Sequence, residues 1–307
     1  MKTIFVLTDF SDRAASAAEY ALNVAIKSNA NLLLLHAMEL AAQITPGVEF
    51  TWPMADYNHV KNESVHELKA LAHRLEVIAQ ENGNFVPAIT YLTEFGFLDE
   101  VAQKTISEKN PDMVIIGAHK SSGISRLLFG SHTNTLLDKI SCPVLLVPEN
   151  LKFKGIKQIS YATDLTFNNL KVVNYLADFA KPLDAGIAVN HIYSPAYPVT
   201  DAEQNIWFSL KEHMKLNHPR IAYRTITGEN VKSTLQQITT SGLVDVLALV
   251  HKRYDFFDRI FHASISKQLA HTAIIPLLVL PYSFSMDVPD MTNEELDQLC
   301  FDNESSR

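Results

Sequence analysis

Short apolar runs alternate with longer stretches of helical period along the whole chain. Ile4–Leu7 and Leu32–Leu35 have the length and composition of buried parallel strands. Between them Ser11 stands where an N-cap belongs, ahead of a helix over Ala14–Lys27. Val60–Gln80 carries Val65, Leu68, Leu71, Ala72, Leu75 and Ile78 at helical spacing. Val86–Leu92 predicts a third strand, Phe97–Ser107 a helix, Met113–Ile116 a fourth strand, Ser131–Ile140 a helix and Val144–Val147 a fifth strand. The order then recurs: strands at Ile159–Ala162, Ile187–Asn190, Ile221–Ile226, Val246–Val250 and Leu277–Leu280, with helices at Asn168–Ala180, Ala202–Leu216, Val231–Thr240 and Ser264–His271. Such alternation predicts right-handed crossovers and parallel sheets covered on both faces.

The recurrence is also visible residue by residue. A shift of 155 lays Lys2–His36 on Lys157–His191 without a gap, with eight identities that include Thr8/Thr163, Asp9/Asp164, Tyr20/Tyr175 and His36/His191. A shift of 133 lays Asp112–Pro148 on Asp245–Pro281 with seven, among them Asp112/Asp245, Ser131/Ser264 and Pro143/Pro276. The offsets differ by 22, so the first copy holds 22 extra residues mid-domain. We expect domains at 1–150 and 151–285, followed by a tail at 286–307.

Composition narrows the class. At 307 residues with 47% hydrophobic and 20% charged positions, the chain has apolar surface for two cores of ~150 residues each. Net charge is −8, of which −6 sits in Met286–Arg307. An acidic chain is a poor binder of nucleic acid or anionic membrane, and no run has the length of a membrane span. Two cysteines, Cys142 and Cys300, give no disulfide framework, which points to a reducing, cytoplasmic setting.

Ligands of open parallel sheets bind beyond the carboxyl ends of strands where strand order reverses, here the ends of strands one and four. After strand four the chain reads Gly117-Ala-His-Lys120-Ser-Ser-Gly123, then Gly130-Ser131 at a helix start. Glycines let backbone N–H groups approach a phosphate, and a helix N-terminus favours an anion. Equally, Gly117 serves a tight turn and Ser131 a simple N-cap.

Thr8-Asp9-Phe10-Ser11 after strand one, Leu35-His36 after strand two, and GAHKSSGISRLLFGS before SCPVLLVP together resemble the universal stress protein family. The resemblance covers both copies and implies two tandem five-stranded parallel α/β sandwich domains, Rossmann-like and akin to the adenine nucleotide alpha hydrolases, packed as an intramolecular pseudo-dimer through their fifth strands. It implies a cytoplasmic stress-response or regulatory module, a monomer with pseudo-dimeric domains or a homodimer, binding ATP or AMP, with Mg accompanying the nucleotide. Alternatives are an interaction module with no nucleotide and a weak ATPase. By the same resemblance Asp9 lies near the adenosine, Ala37 offers its backbone to adenine, and Gly117, Lys120, Gly130 and Ser131 occupy the phosphate motif G-x2-G-x9-G-[ST].

Lys120 stands where that motif has its middle glycine. Its side chain either obstructs the backbone's approach to phosphate or pairs with the phosphate through its ammonium. In the second copy the aligned positions are Val250, Arg253 and Ala263, followed by Ser264. All three glycines are gone, so nucleotide binding is expected in the first copy only.

Other candidates are weaker. His59, Glu63, His66 and His73 share a helix face, but a solvated polar face outweighs a metal site, and none is expected. No nucleophile–base pattern is legible; Cys142, before Pro143, reads as structural. The insertion Glu39–Tyr57, with Phe50, Trp52 and Met54, is either a lid over the strand-end crevice or packing against the other copy. In the tail, Thr292 caps a short helix whose stripe Leu296, Leu299, Cys300 and Phe301 docks on its own domain or recruits a protein partner.

Overall fold

The computed structural model describes residues 2–38, 54–82, 85–118, 131–163, 169–193, 204, 220–228, 231–251 and 275–281. They fall into two compact units that divide between Gly155 and Ile156. The expected helices at Ala202–Leu216 and Ser264–His271 and the tail at 286–307 lie outside the described residues, apart from helical Gln204.

Unit 1 comprises β1 (Thr3–Leu7), α1 (Asp12–Ser28), β2 (Asn31–Met38), α2 (Met54–Asn82), β3 (Ile89–Phe95), α3 (Leu98–Lys109), β4 (Met113–Ala118), α4 (Ser131–Lys139) and β5 (Val144–Pro148). Its strands run in the order β3-β2-β1-β4-β5, all pairs parallel. Unit 2 repeats this with β6 (Gln158–Thr163), α5 (Asn169–Ala180), β7 (Gly186–Tyr193), β8 (Ile221–Thr227), α6 (Val231–Thr240), β9 (Val246–His251) and β10 (Leu277–Pro281). Its order is β8-β7-β6-β9-β10, again parallel.

Identities between the copies mark joints of the scaffold. Asp112, just before β4, accepts the Thr3 N–H at 2.8 Å, and Asp245, just before β9, accepts those of Lys157 and Gln158 at 2.7 and 2.9 Å. Each carboxylate ties the start of the fourth strand to the start of the first. Pro143 and Pro276, which have no N–H to offer, instead accept from Val114 and Leu247 at 2.8 and 3.1 Å. Asn29 and Asp184, aligned at the shift of 155, both take the left-handed conformation that ends the first helical segment, with φ of 51° and 56°.

Right-handed crossovers step one way through α1 and α2 and return through α3 and α4, which puts these pairs on opposite faces. Gly117 abuts α1, so the residues of its phase (Ile4, Val6, Leu34, Ile115) look toward α1 and α2. Phe5, Leu7, Leu33 and Leu35, all under 9% exposed, look toward α3 and α4.

Two expectations are corrected. The third strand begins at Ile89 rather than Val86, because Pro87 lacks a ladder donor; Val86 is 48% exposed. Gly117 is not a turn residue: it sits within β4, paired with Val147. The last residues of the insertion, from Met54, already belong to α2; its other residues lie outside the described ones. No helix among the described residues is long and apolar enough to cross a membrane.

Candidate functional site at the carboxyl ends of β1, β2 and β4

Strand order in unit 1 reverses between β1 and β4, and the chain leaves β1 through a tight set of local bonds. Thr8 donates its N–H to the Leu35 carbonyl at 2.9 Å, the last rung on that side. The Thr8 hydroxyl then accepts the Phe10 N–H at 3.1 Å, and Phe10 turns at φ 61°. A non-glycine in that region costs about 1–2 kcal/mol, and its ring rests 4.3 Å from that of His36. His36 Nδ1–H donates to the Thr8 carbonyl at 2.8 Å, which fixes the tautomer with Nε2 as the acceptor.

Asp9 is half-exposed at this turn. Its carboxylate accepts the Ser11 N–H at 3.1 Å, the Ser11 hydroxyl, and the Arg13 guanidinium at 2.5 Å. Burial is the largest single influence and pushes its pKa up. The Ser11 and Arg13 side chains, the Ser11 N–H and the Arg13 charge together outweigh burial and hold the carboxyl below its ordinary value. Ser11 in turn caps α1, accepting the Ala14 N–H at 3.4 Å.

Gly117 has a packing reason to be glycine. A Cβ there would lie 2.6 Å from the Arg13 carbonyl oxygen and 3.2 Å from the Ala14 nitrogen, so the first turn of α1 sits directly on β4. Extending the β1–β4 register by two residues sets Thr8 beside Gly117, with Asp9 one step beyond.

Ala37 remains within β2, paired with Glu94. Alternation decides where its backbone points. Leu32 donates to Ala88 and Met38 accepts from Gly96 on the β3 side, whereas Leu35 accepts from Thr8 on the β1 side. Ala37, two beyond Leu35, therefore presents its N–H and C=O toward β1, past the end of the β1 ladder. Ala37 is part-exposed; its aligned residue Ile192 is 8% exposed.

Of the six site residues read from the sequence, Asp9, Ala37 and Gly117 come together at this edge. Ser131 is the first residue of α4, while Lys120 and Gly130 lie outside the described residues. Arg13 was missed, although its i, i+4 spacing from Asp9 is a readable signal. His59 and Glu63 approach to 3.3 Å, both largely exposed, and the described residues contain no group of three potential metal ligands. Cys142 is buried; that burial first, and then the charge of Asp112, push its thiol up to about 12, far from the thiolate a nucleophile needs.

Unit 1 is thus an open parallel α/β domain whose strand order reverses at β1/β4, with Asp9 two residues past β1 and Gly117 next to last in β4. The Universal stress protein family model matches residues 1–148, and it is unit 1 that belongs to this family. A universal stress protein of Methanocaldococcus jannaschii is 26% identical over 49% of this chain and 84% of its own. A universal stress protein A homolog of Coxiella burnetii is 28% identical over 48% and 95%. The crystal structure of a universal stress protein from Archaeoglobus fulgidus covers 91% of this chain and 98% of its own with a TM-score of 0.68 at 11% identity, a likeness of fold.

Proposed function

We propose that the protein is a regulatory, stress-response binding module that takes one adenine nucleotide, ATP or AMP, at the carboxyl edge of unit 1. The observation that carries this reading is the placement of Ala37. Its backbone donor and acceptor face the β1 side beyond the ladder, beside the ionised carboxylate of Asp9. An N–H and C=O pair of this kind matches the donor–acceptor edge of a purine, and a carboxylate accepts ribose hydroxyls. Phosphates would extend toward Lys120, Gly130 and the start of α4 at Ser131, with Mg²⁺ accompanying them. A buried, unreactive Cys142 fits a reducing cytoplasm.

Calorimetric titration of the whole chain with ATP and with AMP, in the presence of Mg²⁺, tests the reading. Gly130→Val combined with Ser131→Ala is expected to abolish binding, and unchanged affinity would remove the phosphate assignment. Lys120→Gly separates its two roles: tighter binding marks the lysine as an obstruction, weaker binding as a phosphate partner. A second reading, in which Asp9 is purely a turn and capping residue, is favoured by its bonds to Ser11 and Arg13. Asp9→Asn distinguishes them, since a structural role lowers thermal stability whereas a ligand role lowers affinity at unchanged stability.

A further inference from the structure

Arg13 stands between two strand ends of unit 1. Its carbonyl oxygen lies 2.6 Å from where a Cβ on Gly117 would be, so its backbone is pressed against the end of β4. Its guanidinium reaches the carboxylate that follows β1, where Nη2 donates to Asp9 Oδ2 at 2.5 Å. The residue therefore bridges the point at which strand order reverses. Solvent reaches both partners, with the Arg13 side chain 28% and the Asp9 side chain 48% exposed.

The arginine belongs to unit 1 alone. At the shift of 155, Asp164 repeats Asp9, whereas Asn168 stands in place of Arg13. An aspartate after the first strand is thus kept without an arginine four residues on. The arginine goes instead with the glycines of the phosphate motif: unit 1 has Arg13, Gly117 and Gly130 where unit 2 has Asn168, Val250 and Ala263.

The bonds on Asp9 decide what the arginine does to a ligand. An ionised carboxylate offers about four acceptor positions, shared by its two oxygens. Oδ1 accepts both the N–H and the hydroxyl of Ser11, and Oδ2 accepts Arg13. One position is left, on Oδ2. The Ser11 bonds are tied to the helix, because the same hydroxyl accepts the Ala14 N–H at 3.4 Å and caps α1. The Arg13 bond is the one whose removal frees a position without disturbing that cap. A ribose presents two neighbouring hydroxyls, and both can donate to one carboxylate only where two positions are open.

We propose that Arg13 sets how unit 1 reads the sugar of its nucleotide: while the guanidinium holds Oδ2, Asp9 accepts one ribose hydroxyl and leaves the other unread. The inference rests on the adenine-nucleotide reading of unit 1 and adds a sugar specificity to it. Unit 1 thereby takes a ribonucleotide and one of its two monodeoxy forms alike. Without the arginine, Oδ2 has two open positions and the carboxylate reads both hydroxyls.

The test is calorimetric titration of the full chain with ATP, 2′-deoxyATP and 3′-deoxyATP, each with Mg²⁺, in the wild type and in Arg13→Met. The readout is the affinity of each deoxynucleotide relative to ATP within one variant, which cancels the lost charge and any change in stability. In the wild type one deoxynucleotide is expected to match ATP within about twofold and the other to bind about tenfold more weakly, the order of one hydrogen bond to a charged acceptor. In Arg13→Met both are expected to bind about tenfold more weakly than ATP. Wild-type ratios retained in Arg13→Met overturn the proposal, as do two equally weakened deoxynucleotides in the wild type; the nucleotide reading survives both results. Two deoxynucleotides that match ATP in the wild type remove Asp9 from the sugar and overturn it as well. No heat with ATP in either protein overturns the adenine-nucleotide reading itself, and this proposal with it.

Discussion

Unit 1 fills the layer under α3 with Phe5, Leu7, Leu33 and Leu35, and unit 2 places Ser160, Ala162, Ala188 and Asn190 at the same points of the same sheet. Their strand orders are the same, and Asp112 and Asp245 brace both sheets alike. At the end of the fourth strand the units part again, with Gly117 in one and Val250 in the other. The residues that brace strand starts are kept in both copies, as is the contact of His36 with Thr8 and of His191 with Thr163 at the ends of the first two strands, whereas the end of the fourth strand and one layer are changed.

The comparison is broken most severely by moving the valine of unit 2 into unit 1. Gly117→Val sets a Cβ 2.6 Å from the Arg13 carbonyl, and backbone must move. A loss of about 3 kcal/mol, at the upper end of ordinary overpacking, is expected in urea unfolding of the unit 1 transition. A loss under about 0.5 kcal/mol, no more than a neutral surface change, would show that α1 lifts freely from β4.

The shared brace is next. Asp245 accepts the N–H groups of Lys157 and Gln158, and Asp112 accepts that of Thr3. Asp245→Ala and Asp112→Ala are each expected to cost about 2 kcal/mol, since bonds to a charged acceptor exceed neutral ones. A loss under about 0.5 kcal/mol in either would mean that its brace contributes nothing.

A smaller effect separates the helix pair of unit 1. Lys139 Nζ meets Asp99 Oδ2 at 2.5 Å between α4 and α3. That hydrogen bond, with the lysine charge, holds the Asp99 carboxyl below its ordinary value against the burial that raises it. A depressed folded pKa contributes stability above the unfolded pKa of ~3.9 and loses it as pH falls through the folded value. Asp99→Asn is therefore expected to lower Tm at pH 7, with the difference from wild type closing toward pH 3. A difference that is constant across this range would assign the effect to packing. Smallest of all, Cys142 is expected to react with a thiol reagent at pH 8 only after urea is added, because its thiol is buried and pushed up to about 12.

Much of this was legible in the chain. Two copies, their alternating strands and helices and the capping role of Ser11 follow from apolar period and from identities at fixed shifts. The third strand was misplaced because Val86 has a strand-like side chain while Pro87 beside it removes the donor, and side-chain pattern outweighed backbone chemistry. Gly117 was ambiguous because a glycine in sequence does not say whether φ or a neighbour requires it; the neighbour is the carbonyl of Arg13, 104 residues away in sequence by the numbering. The polar layer of unit 2 was hidden because Ser160 and Asn190 sit in separate apolar runs. Only the register that joins β6 to β7 makes them one feature.

Nucleotide stoichiometry tests the division between the units most directly. Equilibrium dialysis of the full chain against radiolabelled ATP with Mg²⁺ should saturate at one nucleotide per chain, and that single site should vanish in Gly130→Val with Ser131→Ala. Saturation at two per chain, or one site that survives this variant, would contradict the assignment of nucleotide binding to unit 1 alone.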